Sequence, residues 1–362
     1  MEKTFGLLLM IGLGVALKMK IKHPDQLKGI KVLILSLALP ATIFVALLKV
    51  DLRSDLLVLP LLGLFINLIL FFFFQLSLPL FPGLSGKRKR TLLMLLPSLA
   101  PGLSCFPFIS EYLGDEPLAF AALVDVGNKF FVLIVLYILS MRWFLKLNSE
   151  FSNGKNGSIQ QMILKMFSEP INMVMIVALF MLGLNLNLDA LPESISSVFL
   201  RLSSIMAPLV LLFIGLAVKI KLNQIGNILQ FLSWRSGLSF IISAIFIYFI
   251  PDLSSTLILL AVVFPQSSCS FWPFAHMTLV NDKEKSEMKT FEIDFALQVL
   301  ACSLPFSSLV IMGSLSFPVI TSNPTYLVIL GSLLLTAAFI PRTIIGIRKL
   351  ISKNENVFVK TS

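Results

Sequence analysis

Asp125, Asn128 and Lys129 are the residues whose types and spacing most invite chemistry, because they occur together in an apolar stretch running from 117 to 140. An acid four residues before a base is the favourable order for a pair on one helical face. Ionisable groups that deep in an apolar segment are costly, and by default they mark a pathway or a site. The competing reading is a mutually neutralised pair that only fixes helix packing. Asn128, on the same turn, fits either.

A second set lies around prolines. Ser98 and Ser104 fall between Pro97 and Pro107, with Pro101 and Gly102, while Gln266, Ser267, Ser268 and Ser270 fall between Pro265 and Pro273. Proline has no N–H and its ring clashes with the preceding turn, so both apolar stretches are expected to break. Broken backbone survives in a membrane only where it is buried in protein or lines a polar cavity. Its free carbonyls and amides, together with the hydroxyls, could hold an anion or a cation. These residues, with Asp125, Asn128 and Lys129, form the candidate substrate site. A single serine in an apolar helix is more often a packing residue, so the clusters carry the reading.

Other polar groups carry less. Arg201 and Arg235 lie near the starts of apolar runs and are expected to snorkel. His276 reads as a hydrogen-bonded structural residue, with a proton relay as the alternative, and Trp272 as packing or as a cavity wall. The run Gly83, Leu84, Ser85, Gly86 resembles an intramembrane serine protease motif, but Ser85 adjoins Lys87 to Arg90 and the only histidines are His23 and His276. The base such a serine requires is missing. No zinc-protease, paired-aspartate or phosphate-loop motif occurs, so no metal or cofactor is expected and the chain does not read as an enzyme.

The elements that must position these residues follow from composition. Of the 362 residues, 57% are hydrophobic and 13% charged, against about a quarter charged in soluble domains. Runs near the ~20 residues needed to cross a bilayer number about eleven: 5 to 17, 32 to 48, 56 to 80, 91 to 110, 117 to 140, 166 to 188, 198 to 218, 228 to 250, 255 to 280, 293 to 313 and 326 to 347. The expectation is an all-α polytopic membrane protein in the cell membrane, with the bilayer as its main partner. The formal charge of +10 does not point to nucleic acid, because the basic residues gather in alternate loops. Lys18 to Lys31, Lys87 to Arg90, Arg142 to Lys165 and Arg342 to Lys349 would be cytoplasmic, with Glu111, Asp115, Asp189 and Asp252 outside. That places the N-terminus outside and the C-terminus inside; Lys49 and Arg53, in an outer loop, depart from the rule. Cys105, Cys269 and Cys302 fall inside spans and give no disulfide framework.

Pro40 and Pro208 are 168 residues apart, as are Pro97 and Pro265, and Asp125 and Asp294 are 169 apart. Five spans per copy is an odd number, so the second copy would enter from the opposite side, an inverted repeat. Residues 1–141 would form the first five-helix repeat, 142–165 a cytoplasmic linker, 166–313 the second repeat, and 314–362 an extra helix and tail.

These features resemble the auxin efflux carrier family, within the wider group of bile acid and arsenite type transporters. The resemblance covers roughly residues 4 to 313 and rests on Ala38 to Pro40, Phe120 to Asn128, Ala207 to Gly215 and the proline-interrupted fourth and ninth spans. It implies two inverted five-helix repeats with crossed, broken fourth and ninth helices and a transporter of small organic anions. The fourth span here lacks the asparagine usual at that break, and the eleventh span is additional, so substrate and coupling ion (H⁺, Na⁺ or neither) stay open. So do the direction of transport and a homodimeric state. A channel and a non-transporting receptor or scaffold are the alternatives.

Overall fold

The computed structural model describes residues 2–21, 23–49, 56, 58–81, 83–147, 170–184, 186–217, 225–250, 252–282, 284 and 289–339. The core of the expected linker, the inner end of the eleventh span with Pro341, and the tail lie outside them. Among the described residues every regular element is helical, with no strand. In chain order these are α1 (Glu2–Leu17), α2 (Pro24–Leu33), a π-helical turn (Ile34–Ala38), α3 (Leu39–Leu48), α4 (Leu59–Ser77), α5 (Gly86–Leu95), α6 (Pro101–Ser104), α7 (Phe106–Tyr112), α8 (Asp115–Phe130), a second π turn (Phe131–Val135) and α9 (Leu136–Leu147). The second half holds α10 (Pro170–Gly183), α11 (Glu193–Ser204), α12 (Met206–Ala217), α13 (Ile225–Phe249), α14 (Ser255–Val263), α15 (Trp272–Asn281), α16 (Ile293–Ser316), α17 (Pro318–Thr321) and α18 (Pro324–Ala337).

Among the described residues, six segments are long and apolar enough to cross a membrane: Asp25–Leu48, Leu59–Leu80, Asp115–Leu147, Glu193–Leu216, Gly226–Phe249 and Ile293–Ser316. Near the expected first, sixth and eleventh spans the apolar helices are shorter, at Phe5–Leu17, Met173–Gly183 and Pro324–Ala337. Two boundaries differ from the sequence reading in ways that matter. The second helix starts at Pro24 rather than 32, so Lys28 and Lys31 are helical and not loop charges. The fifth continues to Leu147 rather than stopping at 140. In both cases hydropathy located the apolar segment but not the polar turns that hydrogen bonding adds at its ends.

The prolines divide into two roles. Helix α5 ends at Leu95, and the next helical residue is Pro101. Ala100 precedes Pro101, a position at which the following ring disfavours helical backbone, and it sits at φ −129°, ψ 69°, whereas Leu96, before Pro97, keeps helical dihedrals at φ −64°, ψ −37°. Pro101, Pro107 and Pro273 instead start helices, where the missing N–H costs nothing. In the second half α14 leads into a short 3₁₀ turn, Phe264–Gln266, and helix resumes only at Trp272.

Close glycine crossings fix the helix pairs. Helix α1 packs on α12, α4 on α8, and α13 on α18. A Cβ on Gly14 would overlap the carbonyl oxygen of Leu212, one on Gly215 that of Ile11, one on Gly63 that of Val124, and one on Gly127 that of Pro60. Gly237 and Gly331 face each other likewise, each Cβ falling 2.7 or 2.8 Å from the other's carbonyl oxygen. Small residues at such crossings let helix backbones approach. Around Phe81 an aromatic cluster of Phe231, Trp234 and Phe339 binds the end of α18 to α13.

Polarity is distributed inside out. Leu61, Phe65, Phe72 and Leu76 on α4 and Tyr248 and Phe249 on α13 are exposed, whereas Asn67, Asp125, Asn128, Lys129 and Arg235 are buried.

Candidate functional site

The two non-helical stretches, 96–100 and 267–271, lie against each other, and their main-chain groups find partners across the contact. The Ala100 N–H donates to Ser268 O at 2.8 Å. Ser268 N–H donates to Ser104 Oγ at 2.8 Å, and Ser270 N–H to Ser98 Oγ at 3.0 Å. Each of these hydroxyls also donates within its own stretch, Ser98 to Leu95 O at 2.6 Å and Ser104 to Ala100 O at 2.9 Å. A buried amide or carbonyl without a partner would cost about 1–3 kcal/mol, so Ser98 and Ser104 satisfy amides of the second stretch.

Further bonds come from flanking helices. Asn128, 1% exposed, accepts from Leu99 N–H at 3.2 Å and donates to Leu99 O at 2.9 Å, in the manner of a paired strand. It also donates to Asp125 Oδ1 at 2.7 Å and accepts from Asn67 Nδ2 at 2.8 Å. Gln266 exchanges two bonds with Ser236 on α13, and Ser239 donates to Pro265 O at 3.4 Å. Cys269 N–H reaches Ser303 Oγ on α16 at 3.3 Å.

Beside this contact is a cavity of about 340 Å³. Its wall includes Leu99 to Leu103 from the first stretch and the start of α6, Ser270 to Trp272 from the second and the start of α15, and Asp125, Asn128, Lys129 and Val132 from α8 and the π turn after it. Lys31, Leu35 and Ser36 close one side, and Pro170 and Ile171 another. The Lys129 ammonium lies 3.8 Å from Asp125 Oδ2, and both side chains are almost fully buried. Lys31 Nζ stands 4.7 Å from the centre of the Phe271 ring, a cation–π arrangement. The wall thus carries two ammonium groups, one carboxylate, one amide and two hydroxyls on a mainly apolar surface.

Both π turns border this cavity. Leu35 and Ser36 belong to the first, and Pro40 has no N–H to return to either of their carbonyls. Val132 belongs to the second, and its carbonyl takes a hydrogen bond from His276 Nε2 at 3.0 Å. A carbonyl can only accept, so Nε2 carries the proton, in keeping with the structural reading of His276.

Of the expected site residues, the structure brings Pro101, Gly102, Asp125, Asn128, Lys129 and Ser270 to the cavity wall. Ser98, Ser104 and Ser267 are buried behind it and donate to backbone carbonyls, while Ser268, also buried, is held through its main-chain N–H, which donates to Ser104 Oγ. Gln266 is held against α13, and Pro97, Pro107, Pro265 and Pro273 shape the chain without lining the cavity.

Three residues were misjudged or missed. Arg235 does not snorkel: it is 2% exposed, with Nε donating to Leu96 O at 2.7 Å and Nη2 to Ser267 O. It sits ten residues into α13, about 15 Å along the axis, too deep for its side chain to regain the helix end. Lys31 was counted as a loop charge. Asn67 was passed over, although a lone asparagine in the apolar run 56 to 80 was a usable signal; its Oδ1 is buried with no hydrogen-bond partner among the described residues.

No protein-family model matches the chain, and no curated protein matches its sequence.

Proposed function

We propose that this chain is a multi-pass membrane carrier and, within that class, a secondary transporter of small organic anions that works by alternating access. It would resemble the auxin efflux carriers, with inverted five-helix repeats whose fourth and ninth spans are broken and cross. The observation that carries this reading is the cavity beside the two touching interruptions, walled by Lys31, Lys129, Asp125 and Asn128. Broken helices at corresponding places in two halves are where carriers hold solute and coupling ion.

Other features support it. Large apolar side chains such as Phe65, Phe72 and Phe249 face outward while Asn67, Asp125, Lys129 and Arg235 are buried, as a lipid surrounding favours. Helix α1 packs on α12 while α3 packs on α10: the first span of each half lies on the second span of the other, as an inverted repeat would have it. The cavity takes Lys31, Leu35 and Ser36 from one end of the second helix, whereas residues 38–48 at its other end are all buried. In the proposed carrier the path would open toward one face only, as one state of a carrier requires and an open channel does not.

In this reading Lys31 and Lys129 attract a carboxylate, Asp125 keeps the empty cavity from excess positive charge, and the apolar wall takes the body of the solute. The orientation is that of the charge pattern, N-terminus outside and C-terminus inside. The test is counterflow of small carboxylates in proteoliposomes, with and without pH and Na⁺ gradients. Saturable exchange accelerated by internal substrate supports the carrier; unsaturable flux would support a channel, and binding without flux a receptor.

A further inference from the structure

A buried arginine without a carboxylate is expensive in a bilayer, about 2.5–3.5 kcal/mol even on the mildest scale. Arg235 is such a residue. Its two hydrogen bonds go to neutral carbonyls, Leu96 O and Ser267 O, one from each interrupted stretch. Among the described residues no carboxylate lies within ion-pair distance of it. Carbonyl dipoles solvate a guanidinium but leave its charge in place, and a guanidinium does not lose its proton in proteins. A neutral amide could bond both carbonyls without the cost of burying a charge.

The charge also lies close behind the cavity. Leu99 is three residues from Leu96, and Ser270 three from Ser267, and both line the wall. Three residues of chain span at most about 10 Å. At that range and an effective dielectric constant of about 20, one unit charge changes anion affinity by about tenfold, or about 1.4 kcal/mol.

We infer that Arg235, which does not itself touch the cavity, is a fixed positive charge that makes the cavity select anions. Lys31, Lys129 and Asp125 can rearrange as a solute enters, whereas Arg235 is held by both stretches. This role rests on the carrier reading for its biological use, but the field it predicts does not require transport.

Trp272 lines the cavity and is one of three tryptophans, so Trp143→Phe with Trp234→Phe leaves it as the sole indole reporter. Quenching by iodide is compared with quenching by neutral acrylamide. Arg235→Gln should lower the iodide to acrylamide ratio by up to about tenfold, while Arg235→Lys keeps it near the parent value. An unchanged ratio in Arg235→Gln, or equal losses in Gln and Lys variants, overturns the inference. A third variant leaves Arg235 untouched, in case the glutamine protein does not fold. With Lys31→Met, Asp125→Asn and Lys129→Met together, iodide should still be favoured relative to its action on free tryptophan, and loss of that preference also overturns the inference. A chain that moves no carboxylate yet keeps the iodide preference would overturn the carrier reading alone.

Discussion

The Lys49 ammonium lies 2.6 Å from the Asp115 carboxylate, joining the end of α3 to the first turn of α8. Lys49 is eighteen residues beyond Lys31 on the same helical run, about 27 Å along the axis. The cavity and this ion pair therefore sit toward opposite ends of the second helix. Both side chains are about two-fifths exposed, so the pair is worth roughly 0.2–1 kcal/mol.

Loss of this pair should loosen the end of the second span that lies away from the cavity. In the proposed carrier, Asp115→Asn shifts the balance of the two states by at most about fivefold, read as slower maleimide labelling of Ser36→Cys from the Lys31 side. Exchanging the charges, Lys49→Asp with Asp115→Lys, should restore the parent rate. Labelling that ignores both changes would show that the pair does not bear on access.

Asn128→Ala should be among the most damaging single changes in the chain. It removes the partner of Leu99 N–H, of Leu99 O and of Asn67 Nδ2, each a buried group costing about 1–3 kcal/mol when left unmade. Asn67→Ala removes one bond and an oxygen that already lacks a partner, so it should cost at least about 2 kcal/mol less. Unfolding of the two variants in detergent tests the order, and equal losses would contradict it.

Gly127→Ala should destabilise by roughly 1–3 kcal/mol or more, because the added carbon overlaps the Pro60 carbonyl where α4 crosses α8. Gly12→Ala is the control: its Cβ would meet nothing within 4 Å, and helix propensity favours alanine by about 1 kcal/mol. Thermal unfolding of both should give shifts of opposite sign.

Asp125 and Lys129 can be tested together for function. Lys129→Ala should abolish carboxylate counterflow, with Lys129→Arg keeping part of it. The neutral pair Asp125→Asn with Lys129→Met should fold and still fail to exchange. Equal counterflow by that double variant and the parent, at matched protein levels, would reduce the pair to packing.

What the sequence disclosed depended on whether a property is local. A proline acts on its own turn, so irregular backbone after Pro97 and Pro265 can be expected from the sequence, as can the polarity of Asp125 and Lys129 inside an apolar run. Arg235 could not be read that way. Snorkelling is a sound expectation for an arginine near a helix end, but α13 begins at Ile225, which puts Arg235 too deep, and two carbonyls distant in sequence take its hydrogen bonds. Lys31 escaped notice because hydropathy ends a span at the first charges, whereas backbone hydrogen bonding continues to Pro24. The serines of both stretches group together by composition, but their use as partners for backbone of the facing stretch depends on a contact between residues some 170 apart, which spacing along one chain does not display.

Ser98 and Ser104 each donate to their own stretch and accept from the other. Pulling the two stretches apart would strip partners from several buried amides at once, so their meeting point behaves as a solid pivot rather than a pair of jaws. In the proposed carrier, access to the cavity would then change by the outer helices swinging about that fixed point.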